Sequence, residues 1–251
     1  DDFEAVLKKL QYAGYQPISC DDEGYGVMFC CFGLAWANAV GSDGMYNDSV
    51  GTTKFADDTT LIRVMELAND WYNKGYINQD YVTCTESLSN FLQGKAAIFG
   101  AGTWYMQDIA DALGAENVGV LGMCHLNDDD PYDYDSLGGN GQVFCISNHS
   151  EHPQEAADFI SFLNSKEQIE KAQAQHLVLP GRDDVAYPVS GGLYDEVLET
   201  FGNSLFYYDN TMRADVVTEF YRVWPLVVSG YTTVDEAIAS LDAVAASGEA
   251  Y

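Results

Sequence analysis

Apolar residues recur at helical spacing over residues 3–13, where Phe3, Val6, Leu7 and Leu10 share a face and Gly14 ends the run. The same rhythm predicts a helix from about Asp58 to Lys74, with Leu61, Val64, Ala68 and Trp71 on one side and Gly75 as its cap. Thr83 and Glu86 have the spacing of a capping box and open a helix through Leu88, Phe91 and Leu92 to Gly94. Pro153 sits at a first-turn position ahead of the stripe Ala156, Ala157, Phe159, Ile160 and Leu163, and Ser165 with Gln168 opens a further helix. Three more helices follow, over 193–201, 212–229 with a bend at Pro225, and 234–246, the last opened by Thr233 and Glu236. Short apolar runs predict strands at Tyr15–Ser19, Ala96–Phe99, Asn117–Met123 and Gly138–Ser147. Periodicity does not decide between a buried helix and an irregular wall for the apolar stretch Gly24–Val40. The segment Gly44–Gly51 reads as a hairpin-like loop, 127–136 as an acidic loop, and 177–184 as an extended connector. Strands alternating with helices indicate an α/β fold, and the chain from about Ser190 is nearly all helix.

With 251 residues, 47% of them hydrophobic, the chain can bury a sizeable core in one large domain or two small ones. No apolar run approaches the ~18 residues needed to span a bilayer. The sequence starts at Asp1 in a helical pattern without a charged-then-apolar leader, the expected appearance of a processed or truncated product. Acidic residues outnumber basic ones 39 to 11, a formal net charge of -28, which repels nucleic-acid phosphates and anionic lipid. The charge favours neutral or cationic ligands. The six cysteines form no CxxC pair and no zinc-ligand cluster, and their number settles neither compartment nor redox state.

The candidate chemistry centres on residues 90–106. Gly100, Ala101 and Gly102 lead directly into Thr103, Trp104 and Tyr105. An indole covers the apolar C–H face of a pyranose, small residues let backbone approach a ligand, and a helix start offers unpaired N–H donors. Trp104 is therefore a stacking platform for a sugar or a buried core residue, with Tyr105 beside it. Gly138–Gln142 brings Gly139 and the Asn140 amide against a ligand, or only reverses the chain. Tyr25 follows Asp21, Asp22 and Glu23, whose carboxylates accept from paired hydroxyls. The acidic loop (Asp128, Asp129, Asp130, Asp133, Asp135) offers oxygen ligands for calcium but lacks EF-hand spacing, and His149 with His152 makes a poor metal pair. No cofactor is implied. Nucleophile-elbow, P-loop and dinucleotide signatures are missing, and nothing fixes two carboxylates in one cleft for glycoside hydrolysis.

The order of these features resembles a known family. A helix ending in GKAAIFGAGTW, then NVGVLGM, then GGNGQVFCISNHSEHPQEAADFISFLNSKEQ, is similar to the type 1 extracellular solute-binding proteins of ABC importers, the group that includes the maltose-binding protein. YNDSVGTTKFADD at Tyr46–Asp58 and VVSGYTTVDEAIASLDA at Val227–Ala243 also match typical segments of that family. The resemblance covers nearly the whole chain, and five segments fall in the right order. It implies a periplasmic-binding-protein type 2 fold, here as the C-terminal lobe, a mixed sheet flanked by helices, plus a helical C-terminal region. It also implies that about a hundred further residues, most of an N-terminal lobe, precede a helix like Phe3–Ala13.

On that resemblance, residues 1–176 form the C-terminal lobe, 177–204 a connector and helix that would pack on the missing lobe, and 205–251 the C-terminal helices. The function implied is the substrate-binding component of an importer, not an enzyme. It captures a mono- or oligosaccharide by lobe closure and delivers it to permease subunits. Implied ligand contacts are Trp104, Tyr105, Gly139 and Asn140, with Trp36 and Tyr25 in the region that lines the family's sugar cleft. Tyr207, Tyr208 and Arg213 lie where the C-terminal segment reaches that cleft, and Arg182 is on the connector. The expected protein is monomeric, binds no nucleic acid, and is periplasmic or a cell-surface lipoprotein. A carbohydrate-active enzyme, a surface adhesion module, and a binding protein for a peptide or polyamine are the competing readings.

Overall fold

The computed structural model describes residues 2–20, 32–100, 102–122, 125–127, 129–139, 143–174, 179–187, 189–206 and 208–248. Along the chain run α1 (Asp2–Tyr12), β1 (Gln16–Ser19), α2 (Gly33–Ser49), α3 (Thr59–Asn73), α4 (Ser87–Leu92) and β2 (Ala96–Phe99). Next come α5 (Met106–Leu113), β3 (Ser136–Gly138), α6 (Pro153–Leu163), α7 (Lys166–Gln173) and α8 (Leu193–Phe201). The last are β4 (Ser204–Phe206), α9 (Tyr208–Thr211), α10 (Ala214–Val228) and α11 (Val234–Ser247). The chain divides into two compact units. The first comprises Asp1–Ala101, Leu121–Gly139 and Thr200–Tyr251; the second comprises Gly102–Val120 and Asn140–Glu199.

In the first unit β1 pairs in parallel with β2, Gln16 opposite Ala96 and Ile18 opposite Ile98, and Ile18 also bridges Ile77 in parallel. Parallel neighbours require long crossovers, and the chain between them builds α2, α3 and α4. β3 and β4 form a second parallel pair, Leu137 opposite Leu205. Asp58 caps α3 by accepting from the Leu61 amide at 2.8 Å, and the helix buries Leu61, Val64, Met65, Ala68 and Trp71. At α11 the predicted capping box forms: Thr233 Oγ1 accepts from the Glu236 amide at 3.2 Å, and the Thr233 amide donates to Glu236 Oε2 at 3.0 Å. The core joins Phe32, Trp36, Phe55 and Trp71 to Phe220 and Trp224 of α10 and Leu241 of α11.

Four expectations are corrected. The supposed hairpin loop Gly44–Gly51 lies mostly within α2, which runs to Ser49 and takes its irregularity at Gly41 instead (φ 65°, ψ -178°). That left-handed backbone is open to glycine, and Tyr132 packs so close that a Cβ there would lie 2.7 Å from its ring. Thr83 and Glu86 form no capping box: Thr83 Oγ1 donates to the Asp80 carbonyl at 3.2 Å, and Glu86 makes no side-chain cap bond. The described residues of 117–123 join no ladder, and 115–117 is a 3-10 turn. Of Gly138–Ser147, only Gly138 lies in a strand among the described residues.

Acidic side chains converge where α2, α3 and α11 meet. Asp48 is buried at the end of α2 and accepts from Thr53 Oγ1. Asp242 of α11 accepts from the Phe55 amide at 2.8 Å and the Ala56 amide at 3.3 Å. Burial pushes the Asp48 carboxyl up to about 6; the Thr53 bond opposes this, and Asp58, Asp242 and Asp57 add repulsion.

Candidate ligand-binding site

β2 ends at Phe99, and Gly102 starts the second unit. Thr103–Tyr105 form one 3-10 turn that continues into α5, the Tyr105 amide closing the turn onto the Gly102 carbonyl at 3.2 Å. Met106 and Ile109 are buried and anchor this helix, and Tyr187 Oη donates to Met106 Sδ at 3.8 Å. Tyr187 in turn packs on Tyr194 of α8, ring centroids 6.1 Å apart. Burial, then the Tyr194 neighbour, pushes the Tyr187 phenol up to about 12, so it stays a neutral donor at physiological pH.

On this anchored turn Trp104 stands 41% exposed, whereas Trp36, Trp71 and Trp224 are buried. Its ring centroid is 5.9 Å from that of Tyr105, at 56°. The ring folds back over Gly102, where any Cβ would overlap its six-membered edge. The glycine before the tryptophan is thus a packing requirement as well as a flexible bend. Gly102→Ala is expected to displace the half-exposed indole while changing stability by less than about 1 kcal/mol, because no buried core residue moves with it. Acrylamide quenching checks this, because Trp104 is the exposed indole of the four: the quenchable fraction changes and the melting temperature holds.

The remaining candidates fall differently. Gly139 has φ 144°, and a Cβ there would stand 2.9 Å from Asn210 Nδ2 and 3.2 Å from Phe206. Tyr25, Asn140 and Tyr207 lie outside the described residues. Trp36 is fully buried, its indole N–H donating to Asp58 Oδ2 at 2.6 Å and its ring stacked on Phe220 at 5.7 Å. Tyr208 is also fully buried, between Phe220 and Tyr221, and burial drives its phenol well above the usual range. Neither Trp36 nor Tyr208 has surface to offer a ligand; both do core work. Arg182 is engaged with Asp184 through two bonds of 2.7 and 2.8 Å, and its Nη1 reaches the Asn164 carbonyl at 3.3 Å. Arg213 closes the end of α11, donating to the carbonyls of Ala245 at 3.0 Å and Val244 at 2.6 Å. Just ahead of the acidic loop, His125 Nε2 lies 2.9 Å from Asp133, and among the described residues no three His, Cys, Asp or Glu are placed to hold a metal ion. The structure therefore brings Trp104 and Tyr105 together on one support. Sequence reading missed Tyr187 and Tyr194, whose only signal is one aromatic in the 177–204 segment and one near the start of the 193–201 helix.

The profile of a family described as bacterial extracellular solute-binding proteins matches residues 1–191. The chain belongs to this family. Its members are solute-binding proteins named as extracellular, and solved structures place this one in the periplasmic-binding-protein type 2 fold. A chitin oligosaccharide binding protein is 17% identical, with a TM-score of 0.80 over 98% of this chain and 63% of its own. A sugar transporter from Bacillus licheniformis in complex with stachyose is 15% identical, TM-score 0.72, over 95% of this chain and 62% of its own. The solute-binding protein RafE in complex with raffinose is 19% identical, TM-score 0.71, over 97% and 64%. The chain thus spans less than two thirds of the length of these structures. No curated protein matches it. In this solute-binding protein no helix among the described residues is long and apolar enough to cross a membrane.

Proposed function

We propose that this solute-binding protein captures a carbohydrate, mono- or oligosaccharide, for an ABC importer, and that Trp104 is the surface on which a sugar ring stacks. The observation that carries this reading is the exposed indole at a helix start, held by Gly102 beneath it and Tyr105 beside it. Support also comes from the stachyose and raffinose complexes among the structural relatives. In this reading two lobes close on the sugar around a hinge, no bond is made or broken, and a permease recognises the closed form. The protein works outside the cytoplasmic membrane, in the periplasm or as a surface lipoprotein. Gly139 and Asn140 are proposed as polar and backbone contacts to the ligand.

The test is a thermal-shift screen of wild type and Trp104→Ala against mono- and oligosaccharides, with polyamines and peptides alongside. A sugar at a hundredfold excess over Kd adds about 2.7 kcal/mol of stability. Trp104→Ala is expected to weaken that sugar at least tenfold, about 1.4 kcal/mol, while melting at the wild-type temperature without ligand. A mutant that keeps the full shift removes Trp104 from the site. A shift with polyamines or peptides alone overturns the carbohydrate reading.

A further inference from the structure

The cations of this chain are few and mostly spent. Of its 11 lysines and arginines, seven form ion pairs with carboxylates; among the described residues Lys8, Lys9, Lys54 and Lys95 form none. Three of those four meet at one corner of the first unit. Lys9 lies in the last turn of α1, with Lys8 just before it. The Tyr15 amide closes onto the Leu10 carbonyl at 3.1 Å, and the next amide, that of Gln16, donates to the Lys95 carbonyl at 2.9 Å. The end of α1, Tyr15 and Lys95 are therefore neighbours, and all three lysines are exposed.

The same corner lacks opposing charge and leaves aromatic surface in water. Residues 5–20 and 87–107 hold no Asp or Glu, in a chain that has 39 of them. Lys74, tied to α1 through Gln11, holds Glu4 and Asp70 at 2.6 Å each. Tyr12 is 80% exposed and Tyr15 46%, and Lys8 Nζ stands 5.9 Å over the Tyr12 ring. Lys8 and Tyr12, four residues apart, share one side of α1, and Val6, also exposed, lies one turn before Lys9. The negative end of the helix dipole accounts for Lys9. It accounts neither for Lys95, on another element, nor for two uncovered tyrosines.

We propose that this corner is a contact face for anionic phospholipid, and that it sets how the protein lies against a membrane surface. The lysine ammonium groups meet lipid phosphates, and the tyrosine rings sit at headgroup level, where one end of the side chain is apolar and the other wet. The rest of the chain acts by repulsion. A body of net -28 turns its acidic faces away from such a surface, and the corner is the part with the opposite sign. Screening over about 8 Å at physiological salt keeps remote acids from cancelling the contact. Three lysines fall short of the polybasic clusters of about four to eight that hold a protein to lipid, so the contact orients and does not anchor. The inference rests on charge and exposure, not on the sugar reading.

The experiment is sedimentation of the 251-residue chain with vesicles of phosphatidylcholine, alone or with about one third phosphatidylglycerol, at about 0.02 M and about 0.3 M salt. At low salt, partition into the anionic vesicles exceeds that into the neutral ones at least about tenfold, and at high salt the difference vanishes. Lys8→Gln, Lys9→Gln and Lys95→Gln combined abolish the preference at an unchanged melting temperature, and the matching triple change to arginine keeps it. Lys54→Gln, Lys166→Gln and Lys171→Gln combined alter the net charge equally and leave the preference intact. Tyr12→Ala with Tyr15→Ala lowers partition several-fold. Equal partition into both kinds of vesicle, or equal loss in the two glutamine triples, overturns the proposal. A wild-type chain that self-associates without vesicles, and stays monomeric when Lys8, Lys9 and Lys95 are glutamine, assigns the corner to the acidic surface of a second copy and overturns it as well.

Discussion

Trp36→Ala is expected to cost about 3–5 kcal/mol, the range for deleting a fully buried tryptophan. The loss has three parts. The ring is stacked on Phe220 at 5.7 Å and an interplanar angle of 19°, so the deletion empties the space between α2 and α10. The indole N–H donates to Asp58 Oδ2 at 2.6 Å, and its removal strips that partner from a carboxylate in a crowded acidic region. Asp58 also caps α3, so the start of that helix loosens with it. Against a total stability of about 5–15 kcal/mol for an ordinary domain, this change moves the urea midpoint of the first unit far down. Trp36→Phe keeps most of the stack and loses only the hydrogen bond, and is expected to fall well short of the alanine cost. A small midpoint change for Trp36→Ala would show that the indole is not the centre of this core.

Acidification from pH 7.5 to 5 is expected to stabilise the protein, through Asp48. Its carboxyl is raised from 3.8 to about 6 in the folded state, so folding favours the protonated form. The stability it contributes is therefore full below about 3.8 and is lost as pH rises through about 6. A shift of this size corresponds to at most about 3 kcal/mol between the two limits. Asp215, Glu219 and Glu236 act in the opposite sense. The Asp215 and Glu219 carboxyls are held low chiefly by Arg213 and Arg222, and Glu236 by the Thr233 backbone; their contributions fade only in more acid solution. The acid gain is thus confined to a window between neutrality and roughly pH 4.5, near the usual carboxylate range. Asp48→Asn keeps an acceptor for Thr53 Oγ1 and removes the charge. It is expected to be more stable than wild type at pH 7.5 and to lose the rise on acidification. Urea midpoints for both proteins across pH 5–7.5 decide this; parallel curves would show that another group is responsible.

The helices that present one face to the core were legible in the sequence. α3, α10 and α11 follow the 3.6-residue stripe, and α1 stops where Gly14, at φ 91°, turns left-handed. α2 was not, because Gly33–Asn38 is buried without interruption and a helix covered all round has no polar face to mark its period. The burial of Trp36 was not legible either: residue type says aromatic, and only packing says where the aromatic goes. Thr83 has the right spacing for a capping box but spends its hydroxyl on Asp80, a local competition that spacing does not reveal. The bend before Trp104 was legible as a run of small residues, and its geometry, a ring lying where a Cβ at Gly102 would stand, was not.

The first unit is written in three separate stretches of the sequence, and its last stretch holds α10 and α11. One of its tightest ties, from the Phe55 amide to Asp242, joins residues 187 positions apart. A ribosome adding ~5–20 residues per second takes on the order of 10–40 seconds to make that interval. During it Trp36, Phe55 and Trp71 have been synthesised, but the helices that enclose them have not. The stretch that holds these residues therefore emerges unable to close its core, and the first unit waits for α10 and α11. Loss of α11 alone leaves Trp36, Phe55 and Trp71 without one of the helices that enclose them.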